Sequence, residues 1–410
     1  MLPKEWKIKN LDSIFRVFDS LHQTPTFSNA GYPMVRVADV NGANLDLSNT
    51  AMVSVDVFME FTKKYRPKRN DIVFSRVGSY GISAFVDTDE PFCLGQNTVI
   101  AESNDSADPK YVFYVLKSNY IKRQIERTVD GSSHKTVSLK VIRDLELPVP
   151  VLPEQKKIAQ ILSTWDQAIA TTERLLDLAR QQKKALMQQL LTGKKRLLSS
   201  DGQQFNGVWR YCTVNDFFKV GSSKRVLQED WTDSGVPFYR TRELVSLSKN
   251  EPFRSEIYIS EHLFDEITKK YETPSTGDFL VSGVGTLGIC YQVKDGDRFY
   301  FKDGNVLWFK REGDIDSDFF YHCFQSDFIQ KQITDQAAVT TVGTYTIQNA
   351  KKTKLYCPPT LEEQRKVAAV LNSAAQEIET LQSQLDGLKQ EKKALMQTLL
   401  TGKRRVSVDE

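Results

Sequence analysis

Two kinds of side chain in this sequence could do chemistry, and they point in opposite directions. The first kind would support acid–base, nucleophilic or metal chemistry. His22, His134, His262 and His322 stand far apart, while Cys93, Cys212, Cys290, Cys323 and Cys357 are odd in number, scattered and never spaced as C-x-x-C. That pattern predicts reduced thiols, with no disulfide framework and no zinc site. His322-Cys323 is an adjacent pair, but a metal needs a second pair of ligands and none is nearby. Methyl transfer to a base amino group would call for Asp or Asn before Pro-Pro and an aromatic residue after it, where this chain has Cys357-Pro-Pro-Thr360. A phosphate-cradling G-x-x-x-x-G-K-[ST] loop is also missing. The residues predict no catalytic centre, no metal and no cofactor in this chain.

The second kind is basic and polar. Lysine and arginine neutralise phosphates, and arginine, lysine, amide and hydroxyl side chains can reach base edges. Candidates in the first half are Lys63, Lys64, Arg66, Lys68, Arg69, the glycine-bounded Arg76, and Ser132, Ser133, His134 and Lys135 in the loop Gly131 to Thr136. In the second half they are Lys224, Arg225, Arg240, Arg242, Lys269, Lys270, and Thr340, Thr341, Thr344 and Tyr345 in the loop Thr340 to Tyr345. Any single basic residue among these reads more readily as a solvated surface charge, and the two polar loops rank higher. Gly78, Gly81, Gly285 and Gly288 suit tight turns better than ligand contact.

Charge does not single out a strong electrostatic binder. The 410 residues carry a formal net charge of +3. Residues 1–152 hold 19 basic and 18 acidic side chains, and residues 197–360 hold 19 and 22. Hydrophobic content of 40% and charged content of 26% are those of a soluble protein of two or more domains. No apolar run is long enough to span a membrane, and MLPKEWKIKN lacks a secretory apolar core, so the expected location is the cytoplasm.

What must position these residues is an internal repeat. Residues 152–196 return at 361–405 without insertion or deletion, and K-K-A-L-M-Q-x-L-L-T-G-K is identical at Lys183–Lys194 and Lys392–Lys403. A looser repeat precedes each copy: Asp71 to Ile82 matches Asp278 to Ile289, the stretch from Tyr111 matches that from Phe319, and Trp6 and Trp209 open the two segments. The offset drifts, which implies loops of different length on a shared scaffold. The chain therefore divides into a first module at 1–152, a helix at 153–196, a second module at 197–360, and a second helix with a tail at 361–410.

The tight blocks carry the heptad spacing of a coiled-coil seam. Ile158, Leu162, Trp165, Ile169, Thr172, Leu176, Ala179, Lys183, Leu186 and Leu190 form one stripe, and Val367, Leu371, Ala374, Ile378, Leu381, Leu385, Leu388, Lys392, Leu395 and Leu399 the other. Pro153 and Glu154 suit a first helical turn, Thr360 with Glu363 a capping box, and Gly193 and Gly402 the stops. Each helix is expected to run some 38 residues, roughly 57 Å. The modules mix short β-type runs, Asp71 to Phe74 and Thr98 to Ala101, with apolar helical stretches at Tyr111 to Ile125 and Phe319 to Ile333. Each reads as α+β.

The P-x-P-V-L-P-E-Q-K-K-I-A-x-I-L-S-x-W-D block, the K-K-A-L-M-Q-x-L-L-T-G-K block and their recurrence at the C-terminus resemble the specificity subunits of type I restriction-modification enzymes. The resemblance spans the whole architecture. It implies two target-recognition domains that each read half of an interrupted site in double-stranded DNA, and two antiparallel helices that space them as a pseudo-twofold repeat. It also implies that the helices dock two modification subunits, which recruit ATP-dependent restriction subunits. S-adenosylmethionine, ATP and Mg²⁺ would then belong to those partners. A specificity subunit of a methylation-only or other phage-defence complex is the alternative. The two polar loops resemble a region that is functional in this family. The second copy departs from the first at Trp165, which becomes Ala374, and in the Leu-Tyr-Cys-Pro-Pro lead, which implies unequal packing at the two ends.

Overall fold

The computed structural model describes residues 3–78, 81–104, 106–129, 136–249, 251, 257–337 and 343–407. The chain forms two compact units, residues 1–174 with 383–410 and residues 175–382. Each unit therefore holds one module, the first part of one long helix and the last part of the other. The two long helices are Leu152–Leu190 and Leu361–Leu399, 39 residues each, about 58 Å at the standard rise.

In the first unit, the core strands make a four-stranded antiparallel sheet in the order Phe15–Asp19, Thr98–Ser103, Ile72–Ser75, Ser83–Phe85. Ile72 to Ser75 is buried on both faces, so it reads as an unbroken apolar run. A second sheet sets Tyr32–Val35 between Ala51–Val53 and Cys93–Leu94. A ribbon of Lys7–Asn10 with Glu146–Val149 closes the chain's entry against its exit to the helix. The second unit repeats this plan. Its sheet runs Phe218–Gly221, Val306–Arg311, Phe279–Ser282, Cys290–Gln292, and its second sheet gains one strand, in the order Trp231–Thr232, Tyr258–Ile259, Val236–Tyr239, Tyr300–Phe301. Arg210–Thr213 pairs with Lys354–Cys357 as the matching ribbon.

Each apolar helical stretch is two helices. Pro109–Leu116 gives way to Asn119–Val129, and Ser317–Gln325 to Asp327–Ala337. The breaks fall at Ser118 and Ser326, whose hydroxyls accept from the amides of Ile121 and Ile329. A serine competes with the helix for backbone bonds and so favours the cap of the next one.

Within each unit the long helices pack antiparallel. In the first, Ile158 and Leu162 share a core with Leu395, Met396, Leu399 and Leu400. Asp166 pairs with Lys392, and Glu173 with Lys389 at 2.7 Å, so partner numbers fall as residue numbers rise. In the second, Leu186, Leu190 and Leu191 join Val367, Ala368 and Leu371. Every seam residue predicted from the heptads is buried or half-buried, Trp165, Ile169, Leu176, Ile378, Leu381, Leu385 and Leu388 among them. Leu175 and Leu178, off the stripe, are exposed. Full burial of a leucine contributes about 1.5–3 kcal/mol, and Leu162, Leu176, Leu190, Leu371, Leu385 and Leu399 are buried on these stripes. Both helices stop at a left-handed glycine, Gly193 and Gly402, each with φ +68. The five cysteines are free thiols. Burial raises the Cys290 and Cys323 thiols well above the usual thiol range. Among the described residues, no helix is long and apolar enough to cross a membrane.

Candidate nucleic-acid interface

The Glu-Gln pair at the start of each long helix anchors its module. Glu154 accepts from the Trp6 indole at 3.2 Å and from the Arg405 guanidinium at 2.9 Å. At the same place in the second unit, Glu363 accepts from Trp209 at 3.1 Å and from Arg196 at 2.7 Å. The neighbouring glutamines do a second repeated task. Gln155 accepts from the amide of Asp108 at 2.9 Å, and Gln364 from that of Asp316 at 2.7 Å. Asp108 and Asp316 in turn cap the helices Pro109–Leu116 and Ser317–Gln325 through the amides of Tyr111 and Phe319. The Glu-Gln pair thus ties the start of a long helix to its module and to the end of the other long helix. Thr360 does accept from the Glu363 amide at 3.3 Å, but the Glu363 carboxylate is spent on Arg196 and Trp209. The return bond of the predicted capping box gives way to that ion pair.

On this frame the candidate contact residues fall into three groups. Lys63 and Lys64 follow the helix Val55–Phe61, and Lys269 and Lys270 end the helix Glu261–Lys270. All four are exposed and make no ion pair with a described residue. Cations at a helix C-terminus are favoured by its dipole, so these positions present charge at little cost. Arg66 lies over the Phe58 ring at 5.1 Å, and Lys224 over Tyr271 at 5.5 Å; both remain exposed.

The second group is exposed but engaged. Lys68 pairs with Glu102 at 2.9 Å, Arg69 with Asp87 at 2.7 Å and Asp89 at 2.8 Å, Arg225 with Asp303 at 2.9 Å, and Arg242 with Glu243 at 3.2 Å. Their charge is already answered within the module. Arg240 is half-buried, and its backbone amide and its guanidinium donate to the Glu243 carboxylate at 2.9 and 2.7 Å.

The third group is structural. Arg76 is 14% exposed, donates to the Val137 carbonyl at 3.0 Å and pairs with Asp19 at 3.0 Å. Tyr345 is 1% exposed and its hydroxyl bonds that of Thr353 at 2.7 Å. Sequence alone cannot tell a buried guanidinium or phenol from a free one, and both side chains are turned inward here. Ser132, Ser133, His134, Lys135, Thr340 and Thr341 lie outside the described residues.

The ends of the two polar loops are nevertheless placed. Thr136 bridges to Val77 and Thr344 to Val284, and the amides of Val137 and Tyr345 donate to Arg76 and Gly283 at 2.9 Å. In both units the loop that follows the second module helix returns beside the glycine turn of the central strand. Gly81 and Gly288 hold φ of +76 and +69, and a Cβ at Gly81 would lie 2.8 Å from Ile125, so these glycines serve conformation and close packing. The buried Asp71 accepts from Tyr65, Lys68 and Ser103, and Asp278 from Ser275, Trp308 and Arg311. Burial raises the Asp71 carboxyl against those bonds. Each fixes a strand end and neither faces solvent.

The model of the type I restriction modification DNA specificity domain matches residues 3–180 and 206–390, and the chain belongs to that family, one of specificity subunits that are not themselves catalysts. It is similar to the putative type I restriction enzyme MjaX specificity subunit of Methanocaldococcus jannaschii, with 26% identity over 99% of this chain and 95% of that one. The MjaVIII specificity subunit of the same organism is 27% identical over 75% and 73%. Among solved structures, the S subunit of a type I restriction-modification system from M. genitalium shares the fold, with a TM-score of 0.61, 16% identity and coverage of 98% and 97%.

Proposed function

We propose that this subunit reads a bipartite, interrupted target in double-stranded DNA, one half per module, with the two long helices as coiled-coil spacers that relate the modules by a pseudo-twofold. In this reading the helices also dock two modification subunits, through which restriction subunits join. Residues 1–152 and 197–360 are the recognition domains, and 153–196 and 361–410 the spacers. S-adenosylmethionine, ATP and Mg²⁺ act in the partners, and the complex works in the cytoplasm. The observation that carries the reading is one scaffold built twice with different exposed chemistry. The strand order, the glycine turn and the return of the polar loop are repeated, while the loops themselves, Gly131 to Thr136 and Thr340 to Tyr345, differ. Sequence-reading needs a constant frame with variable tips.

The near-neutral modules fit a subunit that acts within a complex. Affinity for DNA rests heavily on phosphate neutralisation, and +1 and −3 for the two modules leave that term to the partners. Exchange of residues 197–360 for the matching module of another specificity subunit, followed by methylome sequencing, tests the proposal. One half of the methylated target should change and the other stay. A change in both halves would sink the two-reader model.

A further inference from the structure

In the first unit a groove of about 780 Å³ lies between the module helix Asn119–Val129 and the C-terminal part of the second long helix. Its lining is strongly one-signed. Lys117, Arg123, Arg127, Lys393 and Lys403 line it, make no ion pair with a described residue, and face Glu146 as the one lining carboxylate. Lys389 and Lys392 line it as well, held by Glu173 and Asp166. Lys117 is half-buried on the Phe113 ring at 4.9 Å, and burial together with Lys392 pushes its pKa down. So many cations around one concavity repel each other unless an anion joins them.

The second unit has a groove at the equivalent place, about 360 Å³, but of different character. Phe328, Leu355 and Tyr356 line it, and Lys184 is answered by Asp327 at 3.1 Å. Where the first unit has Lys117, Arg123 and Arg127, the second has Gln325, Lys331 and Asp335. The long-helix walls, in contrast, are the same: Lys393, Gln397, Thr401 and Lys403 stand where Lys184, Gln188, Thr192 and Lys194 stand. The seam does not require these side chains, which lie off its stripe. A wall repeated at both ends fits a ligand element that is present twice.

We infer that the basic groove of the first unit docks an acidic segment of a modification subunit, and that the second groove takes the same element through a more apolar contact. This rests on the docking reading above. A protein segment is favoured over DNA because duplex phosphates lie on the outside of a broad rod and meet exposed side chains, whereas a carboxylate on a flexible stem can reach the half-buried Lys117.

The test uses the full chain with its modification subunit, titrated in low and moderate salt, with complex mass read by light scattering. Arg123→Glu/Arg127→Glu alters exposed positions, and circular dichroism checks its fold. The wild-type chain should bind two modification subunits, one of them salt-sensitive. The double variant should lose that one, with affinity down at least about tenfold, and form a complex with a single modification subunit, while Lys331→Glu, at the position of the second unit that matches Arg123 and outside the lining of the second groove, keeps two. Two subunits bound by the double variant with unchanged affinity would overturn the inference. So would loss of both from a natively folded variant, or weakened DNA binding with both subunits retained. A wild-type chain that captures no modification subunit would overturn the docking reading itself, and the groove assignment with it.

Discussion

At the same point in the two units, where a module helix meets a long helix, the fold holds two different polar nodes. In the first unit Tyr114 donates to Asp166 at 2.7 Å beside Ser163, and Lys392 completes the node on Asp166. In the second unit the matching residues are His322, Asn372, Ala375 and Lys183. His322 meets Asn372 at 2.7 Å, Asn372 donates to Asp318 at 2.9 Å, and Lys183 has no Asp166 counterpart because Ala375 stands there. The Trp-Glu-Arg clamp and the glutamine cap, in contrast, are shared by both units. The difference teaches that the polar contacts between those anchors are free to diverge while the anchors recur.

The largest expected effect comes from breaking the shared anchor. Glu363 is fully buried and Arg196 is 25% exposed, whereas Glu154 faces an Arg405 that is 43% exposed. Removing one partner of a buried pair leaves an uncompensated charge. Glu363→Ala should destabilise by about 3 kcal/mol, and Glu154→Ala by less, since Arg405 can turn to water. Urea unfolding would measure both. Two near-neutral variants would show that the clamp is not what the repeat preserves.

The lysines should separate the nodes next. Lys392→Met removes the partner of Asp166, which is 43% exposed, and should cost roughly 1–2 kcal/mol after allowance for solvent screening. Burial holds the Lys183 pKa down, with Glu379 acting against it. Lys183→Met should therefore be neutral or slightly stabilising, because an apolar side chain avoids that desolvation. Equal losses in thermal or chemical melts would erase the distinction.

The smallest effect is a pH dependence confined to the second node. His322 has its pKa lowered by burial and by nearby Lys183, opposed by Asn372 and Asp318, and its Nδ1 is buried without a partner. A folded-state pKa below the unfolded value of about 6.5 means that the unfolded chain takes up the proton first as pH falls. The contribution of His322 is present in full above about pH 7 and drains away as pH drops through about 6.5 toward the folded value. Tyr114, raised further above the usual phenol range by burial, contributes nothing there. His322→Gln should flatten the stability of the chain between about pH 7 and 5 relative to the parent. A parent curve parallel to the variant's would show that His322 does not titrate on unfolding.

Much of this architecture is legible in the residues before any coordinates. The heptads of 152–196 and 361–405 fall on both long helices, which start within a residue of those blocks and end at Leu190 and Leu399, before the blocks do, because helical periodicity is a local property with many repeats. The β-type runs expected at Asp71 to Phe74 and Thr98 to Ala101 fall on the strands Ile72–Ser75 and Thr98–Ser103, and Gly193 and Gly402 follow the helix ends as predicted. The candidate contact residues are less legible. Lys63, Lys64, Lys269 and Lys270 prove exposed, yet Arg76 and Tyr345 fold inward, and nothing in their neighbours along the chain signals Asp19 or Thr353.

The amino-acid sequence by itself determined that this protein is a repeat of module and helix, where its two helices begin, which residues form their apolar stripes, and to which family it belongs. Tertiary structure decided which charges are free and which are spent. Asp19 lies 57 residues from Arg76, Glu363 lies 167 from Arg196, and Glu154 lies 251 from Arg405. A pair at such separation leaves no period or spacing in the sequence, and whether a lysine becomes an ion pair, a core residue or one wall of a basic groove depends on which distant segment the fold brings against it.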